Sequence, residues 1–292
     1  MSTHTTFSYD SADGVTVTAY RWDPAEEPVG IVQLTHGMGE HVLRYAELAK
    51  VLTARGLVVY GQDHRGHGAT AFSPDRQGDL GPNGWVELVA DIGRLTDTIR
   101  REHPDLPLLL LGHSMGSFAV QQYLVDNSAR VDAAALSGTA AIDLLAPAMA
   151  ELDGPVDLSA FNAPFAPART DFDWLSRDPE QVDLYVDDPN CGFGIDEPSG
   201  KSMFSEAVRL AQPSVVAHIR NDLPLYIAVG SADPVNGGLA LLDPLVERYK
   251  EAGLTDITLQ VYPDARHEIF NETNRDVVMA DLVAWTSKSL AL

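Results

Sequence analysis

Leu108-Leu109-Leu110-Leu111-Gly112-His113-Ser114-Met115-Gly116 is the stretch on which the reading of this chain turns. The leucine run is too short for a helix and suits a strand buried on both faces of a sheet. The residues after it open a helical pattern through Val120 and Tyr123. A strand, a tight turn with serine at its apex and a helix together are the context of a nucleophile elbow. The serine backbone is strained there, and the flanking glycines remove Cβ atoms that would collide with strand and helix.

Working outward, apolar runs recur at Gly30 to Leu34, Leu57 to Tyr60, Ala133 to Leu136, Leu223 to Val229 and Ile257 to Val261. Between them lie helical patterns, the clearest placing Trp85, Leu88, Val89, Ile92, Leu95 and Ile99 at steps of three and four. Others span Arg44 to Ala54, Ser114 to Asp126, Gly238 to Ala252 and Asn274 to Leu290. Strand alternating with helix predicts an α/β fold, a mostly parallel doubly wound sheet with right-handed crossovers. Val15 to Trp22, after Asp13-Gly14, alternates instead and predicts an antiparallel hairpin strand at the N-terminal edge.

The alternation stops after Ser137 and resumes at Leu223. Residues 141–222 are therefore expected to be an inserted cap, with 1–140 and 223–292 forming the core. The insertion carries Phe161, Phe165, Phe172, Trp174, Tyr185, Phe193 and Phe204, candidates for the wall of an apolar pocket over the carboxyl ends of the strands.

A serine hydroxyl needs a base to take its proton and a carboxylate to fix that base's tautomer. With the elbow, the expected chain order is serine, acid, histidine. Asp233 follows the run Leu223 to Val229 through Gly230-Ser231-Ala232 and is the candidate acid; Asp264 and Asp243 are its rivals. His267 follows the last strand and, of nine histidines, is the only one after the acid. An oxyanion needs two backbone donors, and Met115 and Met38 supply the candidate amides, Met38 from the glycine-rich turn His36-Gly37-Met38-Gly39-Glu40-His41.

Other chemistries fit less well. His36, His41, Asp63, His64 and His67 fall in neighbouring loops, but no H-E-x-x-H helix or H-x-H pair is present, and no metal is expected. Asp63-His64-Arg65-Gly66-His67-Gly68 reads instead as a loop held by buried hydrogen bonds and ion pairs. No P-loop or helix-opening G-x-G-x-x-G is present, so no cofactor is expected. The single Cys191 excludes an internal disulfide and a multi-thiolate metal site. A net charge of −22 argues against nucleic acid and anionic membranes as partners. The opening Met-Ser-Thr-His-Thr-Thr lacks the features of a signal peptide and no apolar run approaches a membrane span, so a cytoplasmic location is expected.

Three motifs in order resemble those of the monoacylglycerol lipase and lysophospholipase-like α/β-hydrolases: His36 to His41 with Arg44-Tyr45, Asp63 to Gly68, and Gly112 to Gly116. Ser176-Arg177-Asp178-Pro179, Tyr185, Asp188-Pro189 and His267 to Glu272 resemble that family's cap and histidine loop. The resemblance implies an α/β-hydrolase fold, a Ser114, Asp233 and His267 triad, Met38 and Met115 as oxyanion donors, and a small-molecule ester as substrate. Ser117 stands where the family often has a second glycine. Asp143, Glu151, Asp153 and Asp157 interrupt what would otherwise be an apolar lid, so a soluble short- or medium-chain ester or a monomeric monoacylglycerol is expected, without stable membrane insertion. The same triad could cleave C–C or amide bonds, and the same fold could serve as a non-turnover receptor.

Overall fold

In the computed structural model, β1 (His4–Asp10) and β2 (Thr16–Trp22) form a hairpin that leads into β3 (Gly30–Thr35) and β4 (Leu57–Gln62). The later strands are β5 (Leu108–His113), β6 (Ala133–Ser137), β7 (Leu225–Gly230) and β8 (Ile257–Tyr262). They make one eight-stranded sheet in the order β1-β2-β4-β3-β5-β6-β7-β8. The β1–β2 and β2–β4 pairs are antiparallel, and all the others are parallel. This is the α/β-hydrolase fold with its antiparallel N-terminal edge. The described residues are 4–149 and 153–292; Glu151 lies outside them.

The leucine run explains why β5 is central. Leu108 and Leu110 pack in the cluster of Trp85, Leu88 and Ile92, whereas Leu109 and Leu111 pack with Leu48, Leu52 and Leu282 on the opposite face. A strand whose two faces are both covered needs no polar alternation. The first cluster belongs to α2 (Gly84–Glu102), α3 (Met115–Asn127) and α8 (Asp243–Glu251), and the second to α1 (Ala46–Thr53) and α9 (Arg275–Ser289). Each leucine or isoleucine fully buried in these layers contributes about 1.5–3 kcal/mol.

Among the departures from the sequence reading, one added strand and two shifted starts have local reasons. β1 has mostly exposed side chains, so its segment lacks the apolar run that marks the inner strands. β7 begins at Leu225 because Pro224 immediately before it has no N–H to donate to a ladder. α8 begins at Asp243, since Gly237, Gly238 and Leu239 all take positive φ (64°, 60° and 81°) in the turn before it.

Between β6 and β7 the chain runs through α4 (Ala146–Met149), a 3-10 stretch Leu158–Phe165, α5 (Pro179–Val186), α6 (Glu197–Leu210) and α7 (Pro213–Val216). Asp178 caps α5 by accepting from the Glu180 amide, with Pro179 in the first turn, and Asp196 caps α6. Among the described residues no helix is long and apolar enough to cross a membrane.

The Asp63 to Gly68 loop is tied down at every side chain. Arg65 is fully buried, with Nε donating to Asp91 at 3.0 Å, Nη1 to Asp13 at 2.8 Å and Nη2 to Ser11 at 2.8 Å. His36 Nε2 accepts from the His64 amide (2.9 Å) and His67 Nε2 from the Gly39 amide (3.2 Å), which leaves the proton on Nδ1 in each ring. Burial holds all three imidazoles below the usual histidine range, His67 at about 4 and His64 at about 3. These neutral rings are internal hydrogen-bond partners joining the Met38 turn to its neighbour.

Candidate active site

Ser114 sits between β5 and α3 with φ 51° and ψ −124°, a conformation that an L-residue adopts only when its surroundings enforce it. The enforcement comes from close packing. A Cβ on Gly112 would lie 2.6 Å from the Gly116 carbonyl oxygen, and one on Gly116 would lie 2.3 Å from the Thr35 carbonyl oxygen. The Ser114 amide donates to Ser137 O at 2.9 Å, and Ser117 Oγ returns a bond to Ser114 O at 2.6 Å. Ser117 therefore fits here as a small residue that also fastens the turn.

Asp233 is fully buried after β7. Its Oδ1 accepts from the Val235 amide at 2.8 Å, and its Oδ2 is 2.9 Å from His267 Nδ1. The rival Asp264 is exposed in a positive-φ turn, and Asp243 is exposed at the start of α8. With Nδ1 directed at a carboxylate, the other nitrogen of His267 is the one available for chemistry. That Nε2 is buried, finds no hydrogen-bond partner among the described residues, and belongs to a ring lining the same cavity as Ser114. Burial opposes the imidazolium, but the Asp233 carboxylate outweighs it and holds His267 above the ordinary 6.5. Next to it His113, ring centroid 4.8 Å away, is kept neutral by burial.

Met38 and Met115 also line this cavity, and neither amide donates to another described residue. Beside them Glu40 Oε1 accepts from the Gly37 amide (2.6 Å) and the Tyr45 hydroxyl (2.7 Å), which fixes the peptide leading into Met38. Arg44 joins this turn to the histidine loop. Its Nη1 reaches Glu40 at 2.7 Å and Glu268 at 2.6 Å, and its Nη2 makes the second bond to Glu268 at 2.8 Å. All three side chains are buried, and the guanidinium lies 4.7 Å from the Tyr185 ring centroid. Burial pushes the Glu268 carboxyl up, yet the bidentate Arg44 overrides it and holds the group at about 2.

The cavity above Ser114 is predominantly apolar. Its floor is Gly37, Met38, Ser114, Met115 and His267, and its apolar wall includes Phe118, Ile142, Leu158, Phe161, Met203 and Phe204. Trp174 and Tyr185 line it too, with the Trp174 ring 4.9 Å from His267. Three expected wall residues do not line it. Phe165 lies under the Arg266 guanidinium at 4.2 Å, and Phe193 packs on the His67 ring at 5.0 Å. Phe172 does not line it either, its ring tilted against that of Tyr185 with centroids 5.0 Å apart. Each of these three rings packs against a neighbouring side chain instead.

Residues 26–274 match the family described as serine aminopeptidase, S33. The chain belongs to that family. Within it, the chain is 34% identical over 97% of both chains to the monoacylglycerol lipase of Mycolicibacterium smegmatis. It is 30% identical to the monoglyceride lipase of Mus musculus, over 96% of this chain and 90% of that one. A thermostable carboxyl esterase from Bacillus coagulans, solved with glycerol, superposes with a TM-score of 0.86 at 27% identity, over 99% of this chain and all of that one. The chain thus resembles monoacylglycerol lipases over nearly its whole length.

Sequence reasoning about this family member missed the Glu40, Arg44 and Glu268 cluster, although all three lie in the quoted motifs. The available signal was two acids and an arginine beside the Met38 turn and His267; nothing in the spacing says that they meet. The aliphatic wall of Ile142, Leu158, Met203 and Val235 was equally silent, because such residues read as ordinary core.

Proposed function

We propose that this chain is a serine carboxylester hydrolase that acts through an acyl-enzyme on monoacylglycerol-like or other short- to medium-chain acyl esters. The observation that carries the reading is the pairing of His267 Nδ1 with Asp233 while the free Nε2 is buried in the cavity that Ser114 also lines. In this mechanism His267 takes the Ser114 proton as the oxygen attacks the ester carbonyl. The resulting oxyanion is met by the Met38 and Met115 amides. His267⁺ then protonates the leaving alcohol, and an acyl-Ser114 ester remains. Water enters, gives its proton to His267 and attacks the acyl carbon; release of the acid returns the proton to Ser114. Asp233 stays ionised throughout and steadies the imidazolium.

Residues 141–222 act as the cap, and their apolar side chains hold the acyl chain. An ester is favoured over a peptide amino terminus because the lining carboxylates Glu40 and Glu268 are both already engaged by Arg44, leaving neither free for an ammonium group. Fluorophosphonate labelling and p-nitrophenyl ester turnover test the assignment. Ser114→Ala is expected to abolish labelling and nearly all turnover, and full activity in that variant rejects it. A chain-length series that includes monoacylglycerols and an aminoacyl p-nitroanilide then identifies the substrate class.

A further inference from the structure

A second cluster lies beside the first and has no part in the proposed hydrolysis. His41, from the turn that carries Met38, meets Asp188 and Cys191 from the stretch after α5. His41 Nε2 is 2.9 Å from Asp188 Oδ2, and one donor atom from each of the three residues lies within 4.8 Å of the other two. All three side chains are partly buried, with His41 13% and Asp188 27% exposed. We propose that these three residues bind one zinc ion, which fastens the turn at 188–192 to the Met38 turn.

The donor set is the one zinc takes: imidazole nitrogen, carboxylate oxygen and thiolate sulfur, with water completing a tetrahedron. Bonds of about 2.0–2.3 Å place ligand atoms of a tetrahedral zinc about 3.5 Å apart. The His41–Asp188 separation is already shorter than that, and the longest possible separation needs to close by about 1 Å, a side-chain rotation. The backbone holds the donors in place without a metal. The Gly192 amide donates to Gly39 O at 3.0 Å across the two segments, the Cys191 amide to Asp188 O at 3.0 Å, and the Asn190 amide to Asp188 Oδ1 at 2.8 Å. That last bond orients a ligating carboxylate from its outer side.

Charge points the same way. Burial and the acids Glu40, Asp188 and Glu268 raise the Cys191 thiol against the single cation Arg44, and the negative field that keeps the thiol protonated favours a dication in place of its proton. On binding, the Cys191 thiol releases its proton to solvent, His41 exchanges its contact with Asp188 for the metal, and the two anionic ligands balance the 2+ charge.

Because Cys191 is the only cysteine, a thiolate signal has one source. The experiment adds cobalt(II) chloride to the untagged full chain under reducing conditions and follows near-ultraviolet thiolate-to-cobalt charge transfer. The expected result is saturation at one equivalent, displacement by one equivalent of zinc chloride, and a zinc-induced rise in Tm. Cys191→Ser should abolish the band and the Tm rise, and His41→Ala and Asp188→Asn should weaken binding at least tenfold, with the metal-free Tm of each confirming that it folds. Absence of a saturable band in the unmodified chain overturns the proposal whatever the variants do. A band of undiminished affinity in both His41→Ala and Asp188→Asn also overturns it, since the thiol would then be binding alone. Ser114→Ala should keep the band, so this site stands or falls apart from the hydrolase reading.

Discussion

Replacing Arg44 by methionine removes the one cation that two buried carboxylates share. Glu40 keeps its bonds from Gly37 and Tyr45, and Glu268 keeps one from Asn271 Nδ2 at 2.9 Å, but no positive charge remains between them. Breaking a buried ion pair from one side costs about 3–5 kcal/mol. At about 2 °C per kcal/mol for a chain of this size, Tm should fall by about 6–10 °C near neutral pH. The pH dependence gives the mechanism away. In the parent protein Glu268 is held at about 2 against an ordinary 4.5, so its contribution is complete above 4.5 and is lost as pH falls towards 2. In the variant, burial alone raises both carboxyl groups, the folded form binds protons that the unfolded form lacks, and stability falls as pH rises. The deficit relative to the parent should therefore be larger at about pH 8 than at about pH 5. Adding Glu40→Gln and Glu268→Gln to Arg44→Met removes the stranded charges and should restore at least half of the loss. Urea unfolding at the two pH values measures all of this. A deficit that does not change with pH, or a triple variant no more stable than the single one, would show that Arg44 acts through packing and refute the reasoning.

Asp233→Asn should cut kcat by about 10⁴, since the amide no longer enforces the tautomer that leaves Nε2 free to accept. The acidic limb of its residual kcat/KM profile should also move to lower pH, because the carboxylate is what lifts His267; an unmoved limb would contradict that cause. Met203→Trp projects a larger ring into the apolar end of the cavity. It should lower kcat/KM for the longest accepted acyl esters by about tenfold or more while leaving the shortest within a few-fold, as read from a p-nitrophenyl ester series.

The inner sheet was legible because burial on both faces writes itself as unbroken apolar runs, and Leu108 to Leu111 is the plainest example. Ser114 was legible because its turn tolerates only glycine at 112 and 116, where a Cβ would strike backbone. Asp233 and His267 followed from chain order and strand ends. The aromatic wall was half legible: composition says that Phe165 and Phe193 are large and apolar, but not whether a ring faces the cavity or a neighbouring arginine or histidine. Contacts between distant segments left no trace at all, neither the bridge from Arg44 to Glu268 nor the approach of His41 to Asp188 and Cys191, because each partner alone reads as a surface charge or a small core residue.

The histidine loop is stitched to the covering segment by main chain: the Glu268 amide donates to Leu175 O at 2.8 Å and the His267 amide to Trp174 O at 3.4 Å. Arg177 adds an ion pair to Glu272 at 3.0 Å. Residues 174–177 therefore cannot swing outward without dragging His267 off its station, and, if His267 is the base proposed above, ligand entry has to come past another segment. For anyone grafting roofs between related scaffolds to change selectivity, 174–177 and 266–272 form one indivisible cassette, and a splice that separates them should cost turnover before it alters preference.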